Sequence, residues 1–202
     1  MSTMMDESDS TADAFAQSLA ARLKAEREGH GWSIAELAER SGVSRAMISR
    51  VERAEASPTA ALLGRLSGAL GLTMSGLLAR VEADAALSAS RMLRVADQPL
   101  WRDPGTGYRR RALTPGGLDP ELTLVELPPG AKVPFPASSY EPMRAHTIWL
   151  ISGRLDFVEA GRRHRMEPGD CFARDLSHPM DCAFENPSDE ETATYLVAVN
   201  HR

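Results

Sequence analysis

The chain has 202 residues, 43% hydrophobic and 25% charged, with a formal net charge of −5. That composition suits one or two ordinary globular domains, and no apolar run approaches the roughly 18 residues of a membrane-spanning helix. The opening is acidic (Asp6, Glu7, Asp9, Asp13), the reverse of a secretory signal, so a cytoplasmic location is expected, and Cys171 and Cys182 are too few for a disulfide framework.

Residues 1–12 read as a disordered tail. Five helices are expected next. The first covers about 13–28, with Phe15, Leu19 and Leu23 spaced by four. The second follows a capping box at Ser33-Ile34-Ala35-Glu36 and ends near Arg40, where Gly42 suits the left-handed position of a tight turn. Ser44 caps a third helix to about Arg53, Pro58-Thr59 opens a fourth to about Leu70, and Thr73 opens a fifth to about Ala79. Residues 14–80 carry nine basic and six acidic side chains, a basic module on an acidic protein. Texture changes near residue 90, beyond which 12 of the 13 prolines fall. Short strands are expected at 108–114, 121–127, 146–151, 154–159, 162–166, 171–174, 180–185 and 193–199, separated by Gly/Pro turns, which argues for an antiparallel sandwich or barrel. The expected domains are a helical unit at 13–80, a linker at 81–92 and a β-barrel at 93–202.

In the helical unit, Ile34, Leu37 and Ala38 give one face of the second helix, Val43 fills the corner, and Ile48 and Val51 give the inner face of the third. Helical geometry then turns Arg45, Ala46, Ser49 and Arg50 outward. Arginine forms bidentate bonds to guanine in the major groove. The backbone amides at Ser33 and Ser44 suit phosphates, and Arg53 and Arg65 are further phosphate candidates. The pattern S-x-x-E-L-A-x-x-S-G-V-S-x-x-x-I-S-x-x-E-x-x-x-x-x-P-T, over about residues 15–80, resembles the phage-repressor-like (xenobiotic-response-element) helix-turn-helix family. The resemblance implies a five-helix lambda-repressor-like fold, a homodimer on a two-fold operator in double-stranded DNA, and a structural role for Glu52 anchoring the loop after the recognition helix. A helical bundle for protein contacts, with Arg45 and Arg50 as a solvated face, is the alternative.

In the second part, the hairpin turns at Ser152-Gly153 and Ala160-Gly161, the turn Pro168-Gly169-Asp170, and the later His178 and Asn186 resemble the cupin family. That implies a double-stranded β-helix (jelly-roll) barrel. Metal-binding cupins carry paired histidines, a glutamate and a later histidine. Here no histidine occurs at Ser139 to Pro142, His146 stands at the glutamate position, and His178 matches the later histidine. Glu141, His146 and His178 are thus the only candidate set for a divalent ion (Zn, Ni, Fe or Mn); a metal-free pocket is the favoured reading. Such a pocket takes a small-molecule effector, with Arg110, Glu141, His146, Trp149 and His178 as candidate contacts. Strand alternation separates Arg110 from Arg109 and Arg111, and an inward arginine suits a carboxylate or phosphate. The expected function is effector-controlled transcription without catalysis or membrane association; a metal-dependent cupin enzyme tethered to DNA, and a constitutive DNA binder whose barrel only dimerises, are the alternatives.

Overall fold

The structure, a computed structural model, describes residues 6–83, 92–115 and 118–201. Five helices come first: α1 (Asp6–Gly29), α2 (Ile34–Ser41), α3 (Arg45–Glu52), α4 (Ala60–Ala69) and α5 (Met74–Ala83). α1 starts at Asp6, so most of the expected tail over 1–12 is helix. Residues 1–5 and most of the expected linker at 81–92 lie outside the described residues.

The caps form as the residue types dictate. Ser33 Oγ accepts from the Glu36 amide while the Glu36 carboxylate accepts from the Ser33 amide at 2.7 Å. Gly42 ends α2 at φ 66°, a left-handed conformation that turns the chain into α3 without a Cβ clash. Ser44 and Thr59 cap α3 and α4 by accepting from the amides three residues on. Leu19, Leu23, Leu37, Ile48, Val51 and Leu63 are all buried and form the shared core.

Ten strands follow. A six-stranded sheet runs β1-β2-β3-β10-β5-β8: β1 (Leu100–Arg102), β2 (Arg109–Ala112), β3 (Glu121–Leu127), β10 (Ala193–His201), β5 (Met143–Ser152) and β8 (Cys171–Asp175). A four-stranded sheet runs β4-β9-β6-β7: β4 (Lys132–Phe135), β9 (Cys182–Glu185), β6 (Leu155–Glu159) and β7 (Arg162–Met166). All pairings are antiparallel, and from β3 onward the chain crosses repeatedly between the sheets, which is jelly-roll connectivity. Two strands depart from the sequence expectation. β1 is only three residues long, and β4 contains Pro134, which demotes a strand pattern; both sit at sheet edges, where a missing amide hydrogen bond is tolerated.

The helical unit packs directly onto the barrel. α4 lies against β4 and a 3-10 turn at Ala137–Tyr140. Its Gly64 and Gly68 make the approach possible: a Cβ at Gly68 would stand 2.3 Å from the Ser138 carbonyl oxygen, and one at Gly64 2.9 Å from the Phe135 ring. Buried Asp103, just after β1, accepts a hydrogen bond at 2.9 Å from the Ala60 amide and so satisfies a first-turn donor of α4. Thr73 donates to buried Glu121 of β3 at 2.7 Å.

Candidate functional site

Helix α3 buries Ile48 and Val51, which are 1% and 2% exposed. With a period of 3.6 residues, that leaves Arg45, Ala46 and Arg50 exposed and Ser49 half-buried on the opposite face. Neither Arg45 nor Arg50 enters an ion pair among the described residues, so both guanidinium groups are available to an external acceptor. Two of the expected phosphate contacts are engaged internally. The Ser33 amide donates to Glu36, and Arg53 is held by Glu55 through two hydrogen bonds (2.7 and 2.8 Å) and also donates to Ser49. Among the described residues the Ser44 amide and the exposed Arg65 side chain show no such tie, while Ser44 Oγ caps α3.

Glu52 takes a different role from the loop anchor implied by the resemblance. Its carboxylate accepts from Arg27 Nε and Nη2 of α1 at 2.7 and 2.8 Å, while Arg27 Nη1 donates to the Trp32 carbonyl. The pair is buried, with side chains 9% and 6% exposed, and ties the end of α3 to α1. Glu52 favours the Arg27 cation and, with Glu28, outweighs the cost of burial, so the guanidinium pKa is raised. No local sequence pattern marks Arg27, because its partner lies 25 residues away.

The barrel mouth is the second site. A pocket with about 460 Å³ of empty space, its opening included, lies between the barrel and helices α4 and α5. The helical side gives Gly64, Ser67, Thr73 and Ser75; the barrel gives Tyr108, Arg110, Ser139, Tyr140 and His146, with apolar walls that include Phe135 and Phe184. Of the expected contacts, Arg110 and His146 are here, while Glu141, Trp149 and His178 are exposed and do not line it. β5 buries residues 146, 148 and 150, so Trp149 has the opposite parity and points outward. His178 lies beyond the end of β8, and Glu141 on the turn before β5. Glu141, His146 and His178 are therefore not brought together as a metal set; among the described residues no three His, Cys, Asp or Glu side chains are grouped for an ion.

The inward position of β8 paired with His146 is Arg174. Its Nε donates to His146 Nδ1 at 3.3 Å, its Nη1 donates to Glu159, and its guanidinium lies 4.2 Å from the Tyr140 ring centroid. His146 is buried, and burial together with Arg174 and Arg110 pushes its pKa well below the usual 6.5. The imidazole is thus neutral, and its Nδ1 is an acceptor already in use. A fixed guanidinium against this nitrogen opposes a divalent cation. Alternation along Cys171-Phe172-Ala173-Arg174 is the signal that marks Arg174 as inward. Cys171 is exposed and Cys182 buried against Tyr140, on different sheets.

Arg110 projects toward the pocket while Arg109 pairs outward with Glu126, as alternation requires. Its Nη1 donates to Tyr108 Oη at 3.1 Å, and its Nη2 donates to Ser75 Oγ at 2.5 Å and Thr123 Oγ1 at 3.4 Å.

Residues 23–77 match the helix-turn-helix family model HTH_3. The HTH-type transcriptional regulator SutR of Escherichia coli (strain K12) is 43% identical over 60 residues, which span 30% of this chain and 34% of that protein. The chain thus matches about a third of this relative's length. A solved HTH_3 family transcriptional regulator from Vibrio cholerae shares the fold over 94% of this chain and 99% of that one, at 18% identity and a TM-score of 0.75. A cupin_2 domain of an XRE family transcriptional regulator from Enterobacter cloacae overlaps 42% of this chain and 84% of that one, at 18% identity and a TM-score of 0.37. Residues 23–77 thus match the HTH_3 helix-turn-helix model, and the described strands beyond them form a jelly-roll barrel.

Proposed function

We propose that this protein is a transcription regulator in which α3 reads operator DNA and the barrel pocket takes a small-molecule effector without turning it over. One observation carries the DNA reading: Ile48 and Val51 are buried, so Arg45 and Arg50 stand exposed, with no ion pair among the described residues, at the surface of a capped helix-turn-helix. Double-stranded operator DNA is the matching partner, with Arg45, Ala46, Ser49 and Arg50 against base edges and the Ser44 amide and Arg65 against phosphates. A cytoplasmic location belongs to the same reading.

A homodimer on a two-fold operator is part of the proposal. Supporting it, the outer face of the larger sheet presents Trp149 (47% exposed), Ile151 and Cys171 next to half-buried Leu196. The effector reading is supported by a pocket whose walls come from both units, because an occupant there touches α4 and α5, which pack on α2 and α1, the helices that hold α3. Regulation then requires different ligand affinities in two arrangements of those units.

The test is selection of an operator from random duplex DNA, followed by binding isotherms at fixed salt. Arg45→Ala and Arg50→Ala are each expected to cost about 1–3 kcal/mol of affinity. Unchanged affinity in both variants removes α3 from base readout.

A further inference from the structure

Building on the effector reading, we propose that the pocket is selective for a small organic monoanion, a carboxylate on a short apolar body. Its charged group docks on Arg110 in competition with Ser75 of α5. Arg110 is the anchor because its charge is permanent and its pocket partners are neutral. All three are hydroxyls, those of Tyr108, Ser75 and Thr123. Its Nε is shielded from solvent and has no acceptor. A sheltered guanidinium with an idle donor and no carboxylate is costly to maintain, and an incoming carboxylate removes that cost through a bidentate, charge-assisted pair.

The surroundings select the rest of the ligand. Among the described residues no Asp or Glu lines the pocket, and Met74, Phe135, Phe184 and Val197 supply apolar wall. The other nearby guanidinium, Arg174, is already paired with Glu159. Among the described residues Arg110 is thus the pocket guanidinium without a carboxylate, and one such charge suits one negative charge; a phosphate dianion would leave charge uncompensated against those walls. Ser139 Oγ, buried and without a partner, offers a second polar contact.

Ser75 makes the site responsive. It belongs to α5, whereas Arg110 belongs to the barrel, so their hydrogen bond crosses between the two units. A carboxylate on Nε and Nη2 takes that donor from Ser75 and leaves it only Thr123, at 3.0 Å. Occupancy therefore changes how the barrel holds the helical unit, and operator affinity follows.

The test uses the full chain with butanoate, hexanoate and octanoate, each beside its primary amide at millimolar concentration. Calorimetry and thermal unfolding report binding, and the selected operator reports coupling. At least one acid is expected to bind and raise the unfolding temperature while its amide does not. Arg110→Met should weaken that acid by roughly 10- to 100-fold, with Arg110→Lys intermediate. Ser75→Ala removes the competing acceptor, so it should tighten acid binding and abolish the acid's effect on operator affinity. The proposal is overturned if no acid binds, if amides bind as well as acids, or if Ser75→Ala responds like wild type; the acid–amide comparison needs no folded variant. If operator is held normally while no acid binds, the anion assignment fails and the regulator reading stands. If no duplex DNA is retained, the regulator reading fails, and the acid–amide comparison still decides the anchor.

Discussion

Glu52→Ala isolates the contact that holds the recognition helix in place. The substitution leaves the Arg27 guanidinium buried with two carboxylate hydrogen bonds missing. Breaking a buried ion pair from one side costs about 3–5 kcal/mol. The lower end, about 3 kcal/mol, applies here because Arg27 keeps the Trp32 carbonyl at 2.7 Å and has Glu28 Oε1 at 3.4 Å. For a unit of this size each kcal/mol moves the unfolding midpoint by roughly 4–8 °C, giving a loss of about 12 °C or more. Urea and thermal unfolding followed by the helical circular-dichroism signal measure it, with operator affinity as a second readout, since α3 loses its tie to α1. Replacing both partners by methionine removes the stranded charge and should restore most of the stability, the signature of a desolvation penalty. The reasoning is refuted if Glu52→Ala unfolds with wild type, or if the double variant loses the sum of the two single losses.

His146 gives a pH dependence: folded it is held neutral below its usual 6.5, so under about pH 6.5 the unfolded chain gains a proton that the folded chain does not. Stability should fall with pH by up to about 1.4 kcal/mol per unit from this group, and His146→Gln should remove that part of the slope; equal differences from wild type at pH 7.5 and 5.5 in urea would contradict it. Gly68→Ala places a Cβ 2.3 Å from the Ser138 carbonyl oxygen and should destabilise by about 1–3 kcal/mol despite better helix propensity. Gly29→Ala, with open space around it, should be neutral or stabilising, and equal unfolding midpoints for the two variants would discount the clash. Trp149→Asp should lower the sedimentation mass toward a monomer without moving the unfolding midpoint, and an unchanged mass would remove this sheet face from the dimer.

Much of the molecule is written in local pattern. Capping residues at Ser33, Ser44 and Thr59, the glycine at 42 and the spacing of Ile48 and Val51 determine α2 to α4 and the outward face of α3, because hydrogen bonds and side-chain direction within a helix span only three or four residues. Period-two alternation likewise determined that Arg110 parts from Arg109, and it already implied that His146 and Trp149, three apart, face opposite sides. What lies far apart in sequence was decided by packing alone. Arg27 meets Glu52, Arg174 replaces a candidate ligand beside His146, and Ser75 reaches Arg110 across 35 residues. The closing of the barrel mouth by α4 and α5 depends on two glycines that let backbones touch, and such complementarity exists only once both surfaces have formed.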